Sequence, residues 1–165
     1  MNDTLYEQLV ERKQTTKTTI TKLLWLALLV LVLASMLLFG PLSGLVAIIL
    51  AAIEIIVIFP RMNVEYEYSL LNHDLTIDVI YNKTKRKHVL SVDLKEAEMI
   101  APRTSHELDS YHDFKMRDYS TADAAQTPYA IMCPMNQQMT CILFNPDETM
   151  LERMSSFLPR TLKRD

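Results

Sequence analysis

Two long apolar runs separated by a glycine-proline pair occupy the first third of the chain. The first run, Leu23–Phe39, has 17 residues with one polar side chain, and the second, Leu42–Phe59, has 18 residues with two. About 20 apolar residues cross the hydrocarbon core of a bilayer as a helix, with about 17 as the lower limit. Gly40-Pro41 ends the first helix because proline cannot continue its hydrogen bonding. The pattern predicts a transmembrane helical hairpin at residues 20–60, with helices at about 20–39 and 42–59.

A signal peptide, a buried core hairpin and a re-entrant segment are the alternatives to this prediction. A signal peptide has a shorter apolar region and a small-residue cleavage site. A core hairpin normally keeps a polar face, and a re-entrant segment does not need two runs of full length. The sequence favours the transmembrane hairpin over all three.

Basic residues flank the predicted hairpin, whereas the turn between its helices carries no charge. Four of them precede the first helix, and Arg61 follows the second. The positive-inside rule places such flanks in the cytoplasm. We therefore expect a multi-pass protein of the cell membrane with both termini cytoplasmic.

The N-terminal segment, residues 1–19, is expected to be amphipathic and cytoplasmic. Residues 2–13 are predicted to form a short helix, because Asp3 or Thr4 can cap it and Glu7 follows Thr4 at capping-box spacing. This helix would lie on the membrane surface or dock on the rest of the protein. A frayed leader is the alternative.

Beyond residue 62 the apolar residues alternate with polar ones, which is typical of half-buried strands. Turn-forming residues separate these segments. The predicted strands are Val64–Leu70, Leu75–Tyr81, His88–Leu94, Ala97–Ala101, a weak one around Tyr111–Tyr119, Tyr129–Cys133 and Thr140–Phe144. The last two are expected to form a hairpin about Asn136-Gln137.

A helix is predicted at about 146–158. Asn145 is the expected cap, Pro146 suits the first helical position, and the acidic pair Asp147 and Glu148 favours the positive end of the helix dipole. The fold class expected for residues 61–165 is therefore α+β, a small antiparallel β-sandwich or barrel closed by a C-terminal helix.

This architecture resembles a pleckstrin-homology-like (PH-like) domain. The segments NVEYEYSLLNHDLTIDVIYNKTKRKHVLSVDL, IAPR and FNPDETMLERMSSFLPR also resemble a family of two-span bacterial membrane proteins, found in clostridial-type Gram-positive bacteria, with a domain of unknown function. The resemblance covers most of the chain and includes no catalytic motif. It implies architecture rather than activity.

Composition narrows the function classes further. Residues 62–165 carry 12 basic and 16 acidic residues, which does not resemble the basic footprint of a nucleic-acid-binding protein. The chain has only two glycines, Gly40 and Gly44, so glycine-rich nucleotide loops are excluded. We expect no enzymatic activity, no cofactor and no nucleic-acid partner.

Glu54 is a candidate polar contact inside the predicted hairpin, because an ionisable group within a span is costly. Lys22 could extend its stem toward it. The pair would act as a proton or ion relay, or form a polar contact with a partner membrane protein. The alternative is a carboxyl group that only fixes helix packing.

The densest basic run is a candidate lipid-binding site. On a turn near a bilayer each cation contributes about 1 kcal/mol toward anionic headgroups. The alternative is a solvated turn whose charges prevent edge-to-edge aggregation. The candidate residues are Lys83, Lys85, Arg86 and Lys87.

The segment His106–Asp113 contains ligand types suited to zinc. His106 and His112 are six residues apart, with no HExxH pattern and no second ligand cluster. A solvated loop is the favoured interpretation, and no metal site is predicted.

The sequence thus predicts an integral membrane protein that tethers a non-catalytic binding domain at the cytoplasmic face. Its partners would be the lipid bilayer, anionic headgroups, a membrane protein or a second copy of itself. An accessory subunit of a transporter or secretion complex is the alternative, and a membrane-bound metal-dependent enzyme is a third.

Overall fold

The structure is a computed structural model that describes residues 5–59 and 63–164, apart from the side chains of residues 17, 38 and 41. Its strands are β1 (Tyr6–Glu11), β2 (Val64–Leu71), β3 (Asp74–Tyr81), β4 (Lys85–Asp93), β5 (Met99–Pro102), β6 (Lys115–Asp118), β7 (Tyr129–Met135) and β8 (Gln138–Phe144). Its α-helices are α1 (Thr16–Ala34), α2 (Met36–Phe39), α3 (Pro41–Ile53) and α4 (Glu148–Phe157). A π-helical turn, Glu54–Ile58, follows α3.

The chain divides into two compact units that are not contiguous in sequence. The sandwich unit comprises the described residues of Met1–Lys13, Glu65–Ile80 and Arg86–Asp165. The helical unit comprises the described residues of Gln14–Val64 and Tyr81–Lys85. The division departs from linear order because β1 precedes the helices in sequence but pairs with β2, which follows them.

The first sheet has the strand order β1-β2-β3-β4. Tyr68 and Leu70 of β2 and Ile77 of β3 are buried, as the alternation in sequence predicts. Asn82 and Lys83 have φ values of 48° and 58° in the turn before β4. Two positive φ angles in succession match the tight hairpin turns that follow the twist of the strands.

The second sheet has the order β5-β7-β8-β6. β7 pairs antiparallel with β8 about Asn136 and Gln137, so the predicted hairpin is confirmed. β6 pairs parallel with β8, from Lys115↔Thr140 to Asp118↔Leu143. The expectation of a purely antiparallel sandwich is therefore wrong, because the weak strand β6 reaches β8 from a long connection instead of a tight turn.

The two sheets share an aromatic core. Tyr68 of β2 and Phe144 of β8 are fully buried, and their ring centroids lie 5.7 Å apart in an edge-to-face arrangement. The Tyr68 hydroxyl donates to the Tyr119 carbonyl (2.5 Å) and accepts from the Asn145 N–H (3.3 Å). Burial raises the pKa of Tyr68 well above its usual range. The core therefore contains a buried hydroxyl group, and that group is hydrogen-bonded as both donor and acceptor.

α4 confirms the predicted C-terminal helix, with a different cap. Asp147, not Asn145, is the N-cap, and its carboxylate accepts from the Met150 N–H at 2.8 Å. Met150 and Met154 are fully buried. The apolar face of α4 thus becomes part of the sandwich core.

The helices of the helical unit are interrupted twice. Gly40 has a φ of +73° and ends α2, as the Gly40-Pro41 pair predicts, and a further break at Ser35 ends α1. α1 has 19 residues but begins with a polar stretch, so its apolar part, Leu23–Ala34, is about 18 Å long by helix rise. α3 has 13 residues before the backbone becomes π-helical.

Among the described residues, no helix combines the length and apolar content that a bilayer crossing requires. The transmembrane hairpin predicted for residues 20–60, with helices at about 20–39 and 42–59, is therefore wrong. The fold class and the multi-pass location in the cell membrane, with both termini cytoplasmic, depended on that hairpin and are wrong with it.

The helix predicted for residues 2–13 is also wrong where the structure describes that segment. Tyr6–Glu11 is a strand, in which Tyr6, Gln8 and Val10 are half-buried and the residues between them are exposed. The predicted capping residues 3 and 4 lie outside the described residues. Pairing with β2 outweighs the local helix signals, as tertiary context commonly does.

Candidate functional site

Exposed apolar side chains cover the outward faces of the helical unit. Leu37 is 91% exposed, and Phe39 and Leu42 are each 75% exposed. No Lys, Arg, Asp or Glu occurs between residues 23 and 53. Large contiguous apolar patches are rare on monomeric proteins in water and mark surfaces that bind membranes or proteins. Other apolar side chains at least 60% exposed are Leu23, Leu24, Leu31, Leu45, Ile48, Ile49, Ile55 and Ile56.

The inward faces of the helices pack closely. A Cβ atom on Gly44 would lie 2.9 Å from Cε at the flexible end of the Met36 side chain, so α2 and α3 come close together at this point. Ala47 is buried, and Glu54 lies two turns further along the same helix face at 4% exposure. The Oε1 atom of Glu54 has no hydrogen-bond partner within the described residues. The accessory-subunit hypothesis requires Glu54 to contact a neighbouring membrane protein. Because Glu54 is buried, its side chain is not accessible for that contact.

Lys22 does not pair with Glu54 in the part of the chain that the structure describes. Lys22 instead lines a cavity of about 400 Å³ together with Ile55, Phe59, Asn63 and Asn82. Asn63 is held there, since its Oδ1 accepts from Gln14 Nε2 (3.1 Å) and its carbonyl accepts from the Asn82 N–H (2.9 Å). The contact predicted between Lys22 and Glu54 remains a hypothesis.

The predicted headgroup-binding cations are all exposed and lie at the turn before β4 and along its first residues. They are Lys83, Lys85, Arg86 and Lys87. Arg86 is engaged within the sandwich unit, because it forms an ion pair with Glu67 and its Nε lies 3.9 Å from Asp78 Oδ2. Neither Lys85 nor Lys87 forms an ion pair among the described residues. These two lysines are therefore the members of the run best placed to meet an external anion.

A polar groove of about 530 Å³ runs along β1. Its other walls are the loop at residues 121–127 and the segment at residues 145–147, before α4. This site was not predicted from sequence, because a helix predicted over residues 2–13 leaves no strand there to border a groove. The alternation of Tyr6, Gln8 and Val10 was the signal that could have revealed it.

Hydrogen bonds attach β1 to the start of α4 at one end of this groove. Gln8 Nε2 donates to the Asn145 carbonyl, and Gln8 Oε1 accepts from the Asp147 N–H, each at 3.0 Å. The Tyr6 hydroxyl donates to Asp147 Oδ2. Because this bond keeps the phenol protonated, it raises the pKa of Tyr6. These bonds fix β1 to the segment before α4 along this side of the groove.

An ion pair closes the other end of the groove. Lys13 Nζ lies 2.6 Å from Asp123 Oδ2, and the Lys13 N–H donates to the Thr121 carbonyl at 2.7 Å. The hydrogen bond from Lys13 and a second from the Ala125 N–H hold the pKa of Asp123 below its usual range.

The loop His106–Asp113 places no ligand set together. His106 and Asp109 face each other at 3.2 Å, but their side chains are 100% and 78% exposed. Within the described residues, no group of three or more His, Cys, Asp or Glu side chains could hold a metal ion. Nothing in the described geometry therefore supports the metal-dependent-enzyme hypothesis.

Comparison with known families matches residues 2–164 to the family described as bacterial PH-like domain (DUF6106). The chain belongs to this family. The match confirms the PH-like part of the resemblance seen in the sequence, whereas the clostridial-type origin stays a prediction. No curated protein and no solved structure matches the chain.

The two cysteines of this PH-like protein lie on opposite faces of the second sheet. Met132 is the register partner of Cys141, and Thr140 is the partner of Cys133. Because neighbouring residues of a strand point to opposite faces, the two thiols point away from each other. Both are buried, and burial raises the pKa of each thiol. They are packing residues rather than a redox pair.

Proposed function

We propose that this bacterial PH-like protein is a non-catalytic binding module that associates with a lipid bilayer through its helical unit. The exposed apolar surface of α1, α2 and α3 is the observation that carries this proposal. Burying one leucine side chain contributes about 1.5–3 kcal/mol. A surface with many such side chains is therefore covered by an apolar environment whenever one is present.

Lipid suits this surface better than a protein partner does. Protein interfaces combine an apolar centre with a polar rim. The stretch from residue 23 to residue 53 contains no charged residue, and its apolar side chains are exposed on several sides of the helices. Lipid hydrocarbon can cover all sides of such a unit at once.

The sandwich unit supplies the binding function in this proposal. A fold does not by itself identify a ligand, so the residues of the site have to indicate it. Lys87 is an exposed cation of this unit that would attract anionic headgroups, and Lys85 is exposed on the same strand. Association with a bilayer would raise the local concentration of ligands there, so a weak surface could be sufficient.

Vesicle flotation of the full-length protein tests the association with lipid. The disrupting variant combines Leu24→Asp, Leu31→Asp, Ile48→Asp and Ile56→Asp, all at exposed positions of the helical unit. The control combines Leu71→Asp and Met116→Asp, at exposed positions of β2 and β6. We expect the wild type and the control to float with phosphatidylcholine vesicles and the disrupting variant to stay at the bottom. Equal flotation of all three proteins would overturn the proposal.

The role of the lysines is tested with vesicles that also contain phosphatidylglycerol. We expect the Lys85→Gln/Lys87→Gln variant to lose about 2 kcal/mol of the added affinity that anionic lipid gives, because each cation contributes about 1 kcal/mol near the surface. Lys95→Gln/Lys115→Gln removes two exposed lysines elsewhere and serves as the control. Equal losses in both variants would show a net-charge effect and exclude a headgroup site at β4.

A further inference from the structure

The groove along β1 has the shape and chemistry of a site for an extended polypeptide. We propose that it binds a lysine- or arginine-rich segment of a partner protein, which lies beside β1 as an added strand. This proposal names a class of partner for the sandwich unit. It rests on one part of the proposed function, namely that the chain is a binding module.

β1 is an edge strand of the first sheet, and this is the first reason for the proposal. An edge strand can pair with an incoming extended segment through its main chain. The opposite edge, β4, carries the exposed residues Lys85 and Lys87, which are typical of edges that resist such pairing. β1 has the sequence YEQLVE, without lysine, and borders a groove. Of the two edges of the sheet, β1 is therefore better suited than β4 to pair with an added strand.

The second argument is a buried side chain with an unused donor. Asn145 lines the groove and is 8% exposed. Its Oδ1 accepts from the Thr121 N–H (2.8 Å) and from Thr121 Oγ1 (3.3 Å). Its Nδ2 group forms no hydrogen bond among the described residues and keeps some exposure to solvent. A carbonyl group of an incoming main chain is the acceptor that would satisfy it.

Charge is the third argument and sets the side-chain preference. Glu11, Asp123 and Asp147 line the groove, whereas Lys13 is its one cationic lining residue within the described chain, and Lys13 is paired with Asp123. The excess of carboxylates attracts cationic side chains and repels acidic ones. The groove thus selects a basic strand over an acidic strand of the same length.

The test uses the full-length protein in detergent micelles, without vesicles. The probe is a short peptide with blocked ends that alternates lysine and valine, and the comparison peptide alternates glutamate and valine. We expect the lysine peptide to bind at least about tenfold more tightly. Equal binding of the glutamate peptide, or no binding of the lysine peptide, would overturn the proposal.

Hydrogen exchange measured by mass spectrometry locates the bound peptide. We expect slower exchange in β1 and in residues 121–127 when the lysine peptide is present, and no change in β4. Slower exchange in β4 alone, or nowhere, would contradict the assignment. This readout uses the unaltered protein and does not depend on the folding of any variant.

A groove-filling substitution completes the test. Thr127 is exposed and lines the groove, so Thr127→Trp should weaken binding of the lysine peptide about tenfold. Ser110→Trp places the same side chain at an exposed position outside the groove and should leave binding unchanged. Equal affinities of the two variants would overturn the proposal.

The outcomes separate this inference from the bilayer proposal. A protein that floats with vesicles but does not bind the peptide overturns the inference alone. A protein that binds the peptide but does not float overturns only the proposal of bilayer association.

Discussion

The sandwich unit and the helical unit are both rich in apolar residues, but they place those residues differently. In the sandwich unit, Tyr68, Ile77 and Phe144 are fully buried. In the helical unit, Ala47 is the one buried apolar side chain among the residues that the structure describes. The sandwich unit therefore buries its own apolar surface, whereas the helical unit depends on its surroundings to cover its surface.

Geometry explains the difference. Two facing sheets and a covering helix give each strand at least one neighbour on its apolar face. A pair of helices gives each helix one contact stripe and leaves the rest of its circumference uncovered. Apolar residues on all sides of such a pair cannot be buried by the pair itself.

Truncating one phenylalanine in each unit should give the largest difference in stability between the two units. Phe144→Ala empties a fully buried position, and we expect it to lower the free energy of unfolding by about 3–5 kcal/mol. Phe39→Ala makes the same chemical change at a 75% exposed position and should cost less than about 0.5 kcal/mol. Urea denaturation in detergent, followed by circular dichroism, measures both. Similar losses from the two variants would contradict the comparison.

The next largest effect concerns the junction of β1 with α4. Asp147→Ala removes the helix cap and leaves the Tyr6 hydroxyl without its acceptor, so we expect a loss of about 1.5–3 kcal/mol in unfolding free energy. Glu152→Ala removes an exposed carboxylate from the same helix and should have little effect. If Asp147→Ala costs no more than Glu152→Ala, β1 is not fixed to the helix as described.

The smallest expected effect is a pH dependence at Asp123. Because its pKa is lower in the folded state, Asp123 contributes stability above its unfolded pKa, and that stability is lost as the pH falls through the folded pKa. Lys13→Met removes the main cause, so the NMR titration midpoint of Asp123 should rise toward that of an unpaired aspartate. An unchanged midpoint would exclude the Lys13 hydrogen bond as that cause.

Most of the sandwich unit was predictable from sequence, because apolar and polar residues alternate along strands such as β2 and β3, although β2, β7 and β8 are buried on both faces. Alternation located β2, β3 and the hairpin of β7 and β8 to within a few residues. The parallel pairing of β6 was not predictable, because its partner, β8, is fixed by long-range packing and not by a local turn.

The structural predictions were wrong where tertiary contacts or backbone breaks outweighed the local sequence signals. Residues 2–13 carry capping and spacing signals for a helix, but β2 supplies a pairing partner that only the fold reveals. The apolar runs were long enough in sequence to cross a bilayer, yet the backbone breaks at Ser35 and Gly40 shorten the helices. The groove along β1 could not be predicted, since its walls come from three distant segments.

Fluorescence quenching of Trp25 in lipid vesicles tests the central claim most directly. Trp25 is the one tryptophan of the chain and lies in α1, so its emission reports on the helical unit alone. We predict strong quenching by lipids brominated on their acyl chains and little quenching by iodide in the surrounding water. Efficient quenching by iodide, with no response to brominated lipids, would contradict the claim that lipid covers the apolar surface of the helical unit.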